Sequence, residues 1–167
     1  MSNRQKEVGC MGRFVNPDNS AFQVILNSDI YVDKTELLAY TNKALNTDRA
    51  MICNSRPRRF GKSITANMLT AYYSRGCDSD AMFADLAISK TESYKKHLNK
   101  YDVIHLDIQW FLANCAKADD IVAFITESIL DELRTIYPCV LPSEEISLPD
   151  ALSRIREKTG QKFVVLY

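Results

Sequence analysis

Gly61-Lys62-Ser63 sits where an apolar run, Ala50–Asn54, passes through the turn-forming residues Ser55, Arg56 and Pro57 into a helical repeat. That junction restricts the chain more than any other feature. In Arg56-Pro57-Arg58-Arg59-Phe60-Gly61-Lys62-Ser63 the last three residues fit a phosphate-binding loop, while Arg56 stands where the pattern has its first glycine. Gly-Lys-Ser or Gly-Lys-Thr alone arises by chance in about one chain in ten of this length. The flanking elements add the specificity. Such a loop needs a buried strand before it and a helix after it, and the sequence reads as both.

The expected strand is Ala50–Asn54. The expected helix runs from Lys62 to about Ser74, because Ile64, Met68 and Tyr72 recur every four residues beside a second stripe of Thr65 and Leu69. In this reading Gly61 lets the backbone approach an anion, and the N–H groups from about Arg59 to Ser63 point inward at the helix start. Lys62 reaches the β and γ phosphates of a nucleotide, ATP by first preference, and the Ser63 hydroxyl helps hold Mg²⁺. The candidate nucleotide-binding residues are Arg58, Arg59, Phe60, Gly61, Lys62, Ser63 and Ile64. Arg58 and Arg59 are candidates for charge-assisted bonds to phosphate or, equally, for pairing with nearby carboxylates. Arginine in place of the first glycine implies a loop of altered shape, which Pro57 would stiffen.

The remaining elements alternate between helical and strand periods, which gives an α/β layered domain. A short helical stretch carries Phe22, Val24, Ile25 and Leu26, and Ile30–Val32 reads as extended. Asp33 and Glu36 form a capping-box-like start to a helix reaching Leu45. Asp102–Ile108 reads as a strand. Asp119–Tyr137 reads as a long helix with Ile121, Ile125, Ile129, Leu133 and Ile136 inward, stopped by Pro138. A helix from about Ser147, with Pro149 in its first turn and Gly160 at its end, precedes a buried strand, Lys162–Tyr167.

A length of 167 residues suits one domain. Acidic and basic residues balance at 21 each, so no overall field favours nucleic acid or an anionic membrane. Five cysteines without a C-x-x-C pair argue against a metal clip or a disulfide framework and suit a reducing, cytoplasmic setting. No apolar run approaches a membrane span.

Tyr31-Val32-Asp33-Lys34-Thr35, the Arg-Pro-Arg-Arg-Phe-Gly-Lys-Ser string and Tyr101–Asp107 together resemble the AAA-ATPase-like family of bacterial P-loop proteins, across nearly the whole chain. The resemblance implies a three-layer P-loop domain with a mostly parallel sheet, and ATP and Mg²⁺ as ligands. It makes Phe163–Leu166 the Walker B strand, with the carboxylates for Mg²⁺ and the attacking water expected just after Tyr167, so that the domain reads as its N-terminal part. Many members carry a restriction-endonuclease-like nuclease domain further on, which implies nucleic acid as a partner of that domain. The rival readings are a nucleotide-dependent switch or nucleic-acid-associated module without hydrolysis, and a P-loop kinase.

Several residues invite a second reading. Asp107 resembles a strand-end metal carboxylate or a turn cap. Asp33 and Lys34 are candidates for bordering the nucleotide, although capping accounts for Asp33 without a ligand. His97 and His105 read as packing residues, and Tyr72, Tyr73, Trp110 and Phe111 as core aromatics.

Overall fold

The computed structural model describes residues 11–55, 57, 59–141 and 145–167. Helices α1 (Ser20–Leu26), α2 (Glu36–Ala44), α3 (Lys62–Tyr73), α4 (Asp80–Phe83) and α5 (Tyr94–His97) come first. Strand β1 (Asp102–His105), helices α6 (Ile108–Asn114), α7 (Ile121–Ile136) and α8 (Leu148–Thr159), and strand β2 (Phe163–Leu166) follow. Among the described residues no helix is long and apolar enough to cross a membrane.

Strands β1 and β2 pair in parallel, with Asp102 opposite Phe163 and His105 opposite Leu166. The chain before α1 lines the other edge of β1: Val15 bridges Ile104 antiparallel, and Asn16 N–H donates to Val103 O at 2.7 Å. That segment is also tied to α7, where the Glu132 carboxylate accepts from the N–H groups of Arg13, Phe14 and Val15 at 3.0, 2.9 and 2.8 Å.

Because side chains alternate along a strand, β1 separates two cores. Val103 joins Phe22, Leu38, Met68, Tyr72 and Tyr73 on one face, from α1, α2 and α3. Ile104 joins Ile129, Leu133, Ala151 and Ile155 on the other, from α7 and α8. The repeat read in α7 holds from Ile125 onward, with Ile129 and Leu133 buried and Ile125 and Ile136 packed against them, while Ile121 at the helix start is only half-buried and outside this cluster. The ends of α8 also follow its sequence signals. Ser147 Oγ accepts from Asp150 N–H at 3.3 Å, and Gly160 closes the helix in the left-handed region (φ 71).

Three expectations change. Ala50–Asn54 is not a strand: residues 50–55 are exposed, with Met51 at 90%, and the segment joins no ladder among the described residues. An apolar run becomes a strand only where a neighbouring edge takes up its backbone groups. An open groove lined by Ala50, Phe163 and Val164 separates the start of that segment from β2. The second change is the end of β1, which stops at His105 because Asp107 turns the chain into α6. Third, β2 is only partly buried, with Val165 at 48% exposure, since β1 is its one partner among the described residues.

Candidate functional site

Helix α3 starts at Lys62, and its N-cap is Gly61 in the left-handed region (φ 76, ψ 32) with no side chain closing the end. The first-turn N–H groups of a helix have no intrahelical acceptor. Here the ladder begins when Thr65 N–H donates to Gly61 O at 2.9 Å. The residues just before add a second left-handed position, Arg59 (φ 68), separated from Gly61 by Phe60, whose φ is not positive. A left-handed residue next to a right-handed one turns successive N–H groups toward one side, a shape that receives anions, and Gly61 followed by helical Lys62 is such a pair. Holding an arginine in the left-handed region costs on the order of 1 kcal/mol. Strain of this kind is retained where surrounding structure imposes it, and functional loops are a common place.

Lys62, Ser63 and Ile64 are exposed, as are Arg59 and Phe60, so the loop faces solvent at the mouth of the helix. Arg56 and Arg58, the other arginines of the motif, lie outside the described residues. Pro57 is exposed.

A second segment reaches this loop. A Cβ built on Gly61 would stand 3.4 Å from Lys34 Nζ and 3.7 Å from Ile64 Cδ1, so the Lys34 ammonium borders the left-handed glycine. The backbone on either side of Lys34 is pinned. Asp33 Oδ1 accepts from Thr35 N–H at 2.8 Å, and Asp33 Oδ2 accepts from Ala87 N–H at 2.7 Å. Thr35, fully buried, accepts from Ile88 N–H at 3.1 Å through Oγ1. Burial pushes the Asp33 carboxyl up, but the N–H groups of Ala87 and Thr35, with the Thr35 side chain and the Lys90 charge, together hold the group below its ordinary range. Asp33 therefore ties two loops together instead of capping α2, which begins at Glu36 with Thr35 as its N-cap.

A family model described as a predicted AAA-ATPase matches residues 19–167, a span that contains Tyr31–Thr35, the loop and both strands. The chain belongs to the AAA-ATPase-like family. Neither the curated proteins nor the solved structures include a match to it.

In this AAA-ATPase-like chain the other candidate residues have local partners. Asp107 caps α6, its Oδ1 accepting from Gln109 N–H at 3.0 Å and Trp110 N–H at 3.1 Å. His105 Nδ1 lies 3.0 Å from Thr70 Oγ1 in α3, and burial lowers its pKa against a small opposing pull from Asp107. His97 Nδ1 lies 2.6 Å from Tyr101 Oη, and its pKa is lowered by burial and then by Lys96. Tyr72, Tyr73 and Phe111 are buried. Trp110 is partly covered and carries the Arg13 guanidinium 3.7 Å above its ring. Among the described residues no three of His, Cys, Asp or Glu gather as a metal-binding group.

Sequence reasoning missed the buried cluster around Asp102. This carboxylate, with no solvent exposure, accepts from Asn16 Nδ2 at 2.6 Å and from Tyr137 Oη at 2.5 Å, with Arg75 Nε 2.7 Å away. Nothing in the local pattern marks it, because its partners come from three distant segments.

Proposed function

We propose that this chain is a P-loop nucleotide-binding domain of the three-layer α/β type, taking ATP with Mg²⁺ at Arg59–Ile64 and serving ATP hydrolysis. The observation that carries the reading is the pair of left-handed residues, Arg59 and Gly61, opening directly onto the uncapped start of α3 within a Gly-Lys-Ser motif. The membership of the AAA-ATPase-like family supports it, as do a parallel strand pair and separate cores on the two faces of β1.

The residues present fit a triphosphate. The turn from Gly61 into α3 offers N–H donors, and Gly61 has no Cβ to keep a phosphate from its backbone. The first-turn amides of α3 and the positive end of its dipole add to the attraction. Lys62 supplies a mobile positive charge for the outer phosphates, and Ser63 supplies a hydroxyl for the metal. Mg²⁺, when bound with the nucleotide, neutralises charge on the β and γ phosphates. Arg59, exposed in the same loop, would add a charge-assisted bond to a phosphate oxygen. No catalytic base is assigned among these residues.

The test is calorimetric titration of ATP with and without Mg²⁺ into wild type and Ser63→Ala. Magnesium should strengthen binding to wild type, and Ser63→Ala should lose most of that gain while keeping metal-free binding. Equal magnesium dependence in the two proteins would remove Ser63 from the metal site. Phosphate release from the bound ATP then separates an ATPase from a switch that binds without turnover.

A further inference from the structure

We infer that Lys34 is a second phosphate-binding cation of the loop, reaching the nucleotide from the segment that precedes α2 and acting beside Lys62. The inference rests on the loop reading above and adds a residue that the Gly-Lys-Ser motif does not contain.

Its position is the first argument. A Cβ on Gly61 would lie 3.4 Å from Lys34 Nζ, so the ammonium lies over the one loop residue that presents bare backbone. A phosphate seated on the Gly61 and Lys62 amides would come within reach of the same ammonium. The second argument is charge. Lys34 Nζ borders a turn whose own residues include Arg59 and Lys62, and among the described residues Lys34 has no carboxylate within ion-pair distance. Cations gathered without counter-charge repel one another, and an anion placed among them reverses the sign of that interaction.

Rigidity is the third argument. A lysine side chain loses considerable rotamer freedom when it binds, so a fixed base makes its contact more favourable. Lys34 has such a base. Asp33 before it accepts two backbone N–H groups, and Thr35 after it is fully buried and bonded to Ile88 N–H. These bonds account for the backbone of the segment. They leave the Lys34 ammonium without a structural task, since its chain is exposed and α2 begins beyond it.

The experiment measures ATP-Mg affinity for wild type, Lys34→Gln, Lys34→Arg and Lys62→Ala at several salt concentrations, with melting temperatures alongside. The expected result is about tenfold weaker binding by Lys34→Gln, the loss of one charge-assisted contact. That variant should also show a shallower decline of affinity with added salt. Lys34→Arg should recover most of the affinity, and the melting temperature of Lys34→Gln should match wild type. If Lys62→Ala weakens binding while Lys34→Gln stays within twofold of wild type, the role of Lys34 is refuted and the loop reading stands. If Lys34→Gln lowers the melting temperature, leaves the salt dependence unchanged and is not rescued by arginine, Lys34 is a structural residue and the inference fails. If wild type binds no ATP-Mg, the loop reading itself falls and takes this inference with it.

Discussion

Tyr137, just past the end of α7, donates to Asp102 at the start of β1 across a 2.5 Å hydrogen bond, and both residues are buried. Arg75, beyond the end of α3, closes the cluster, its Nη2 donating to Tyr137 Oη at 2.6 Å. The elements that flank the sheet are thus joined at one carboxylate. Burial, and then the hydrogen bond to Asp102 and its charge, raise the pKa of the Tyr137 phenol well above its ordinary value. Asp102→Ala strands the Arg75 charge and two polar groups, and should cost about 3 kcal/mol or more. Tyr137→Phe removes one bond and should cost about 1 to 3 kcal/mol. Urea denaturation measures both, and the order of the two losses is the point of comparison.

His105 sets a pH dependence whose sign follows from its burial. Its folded pKa is depressed, so the folded state resists a proton that the unfolded chain accepts near the ordinary value of about 6.5. The unfolded state therefore binds more protons in that range, and stability rises with pH. Full stability is present above the unfolded pKa and declines as pH falls through it. His97, also depressed, contributes in the same direction. Denaturation midpoints between pH 8 and pH 5 should fall for wild type, and should fall less steeply for His105→Gln.

Gly61 and Arg59 share a left-handed backbone and should answer oppositely to substitution. Gly61→Ala places a Cβ at φ 76 and should destabilise by about 1 kcal/mol. Arg59→Gly removes the strain at φ 68 while adding freedom to the unfolded chain, so stability should hold or rise by up to about 1 kcal/mol. Thermal melts of the two variants against wild type check the contrast.

The helices were legible where a periodic stripe met clear end signals. Lys62 opens α3 as the motif requires, and α8 has its serine cap, its early proline and its terminal glycine. The strand before the loop was not, because Met51 and Ile52 are apolar in sequence and exposed in the fold, and composition alone does not supply a ladder partner. Asp107 shows a local competition. An aspartate followed by Ile108-Gln109-Trp110 caps a helix as readily as it ends a strand, and here the cap prevails. Asp33 has the sequence context of a helix cap, yet its second oxygen bonds Ala87, far along the chain, which no short-range pattern reveals. Lys34, a candidate in sequence for bordering the nucleotide, lies beside Gly61 through a contact between distant segments.

The most direct measurement is the affinity of wild type and Lys62→Ala for ATP-Mg by isothermal titration. Loss of a charged contact to phosphate predicts binding by wild type that falls about tenfold or more in Lys62→Ala, with the melting temperature of the free protein unchanged. Equal affinity in the two proteins would contradict a nucleotide held at this loop.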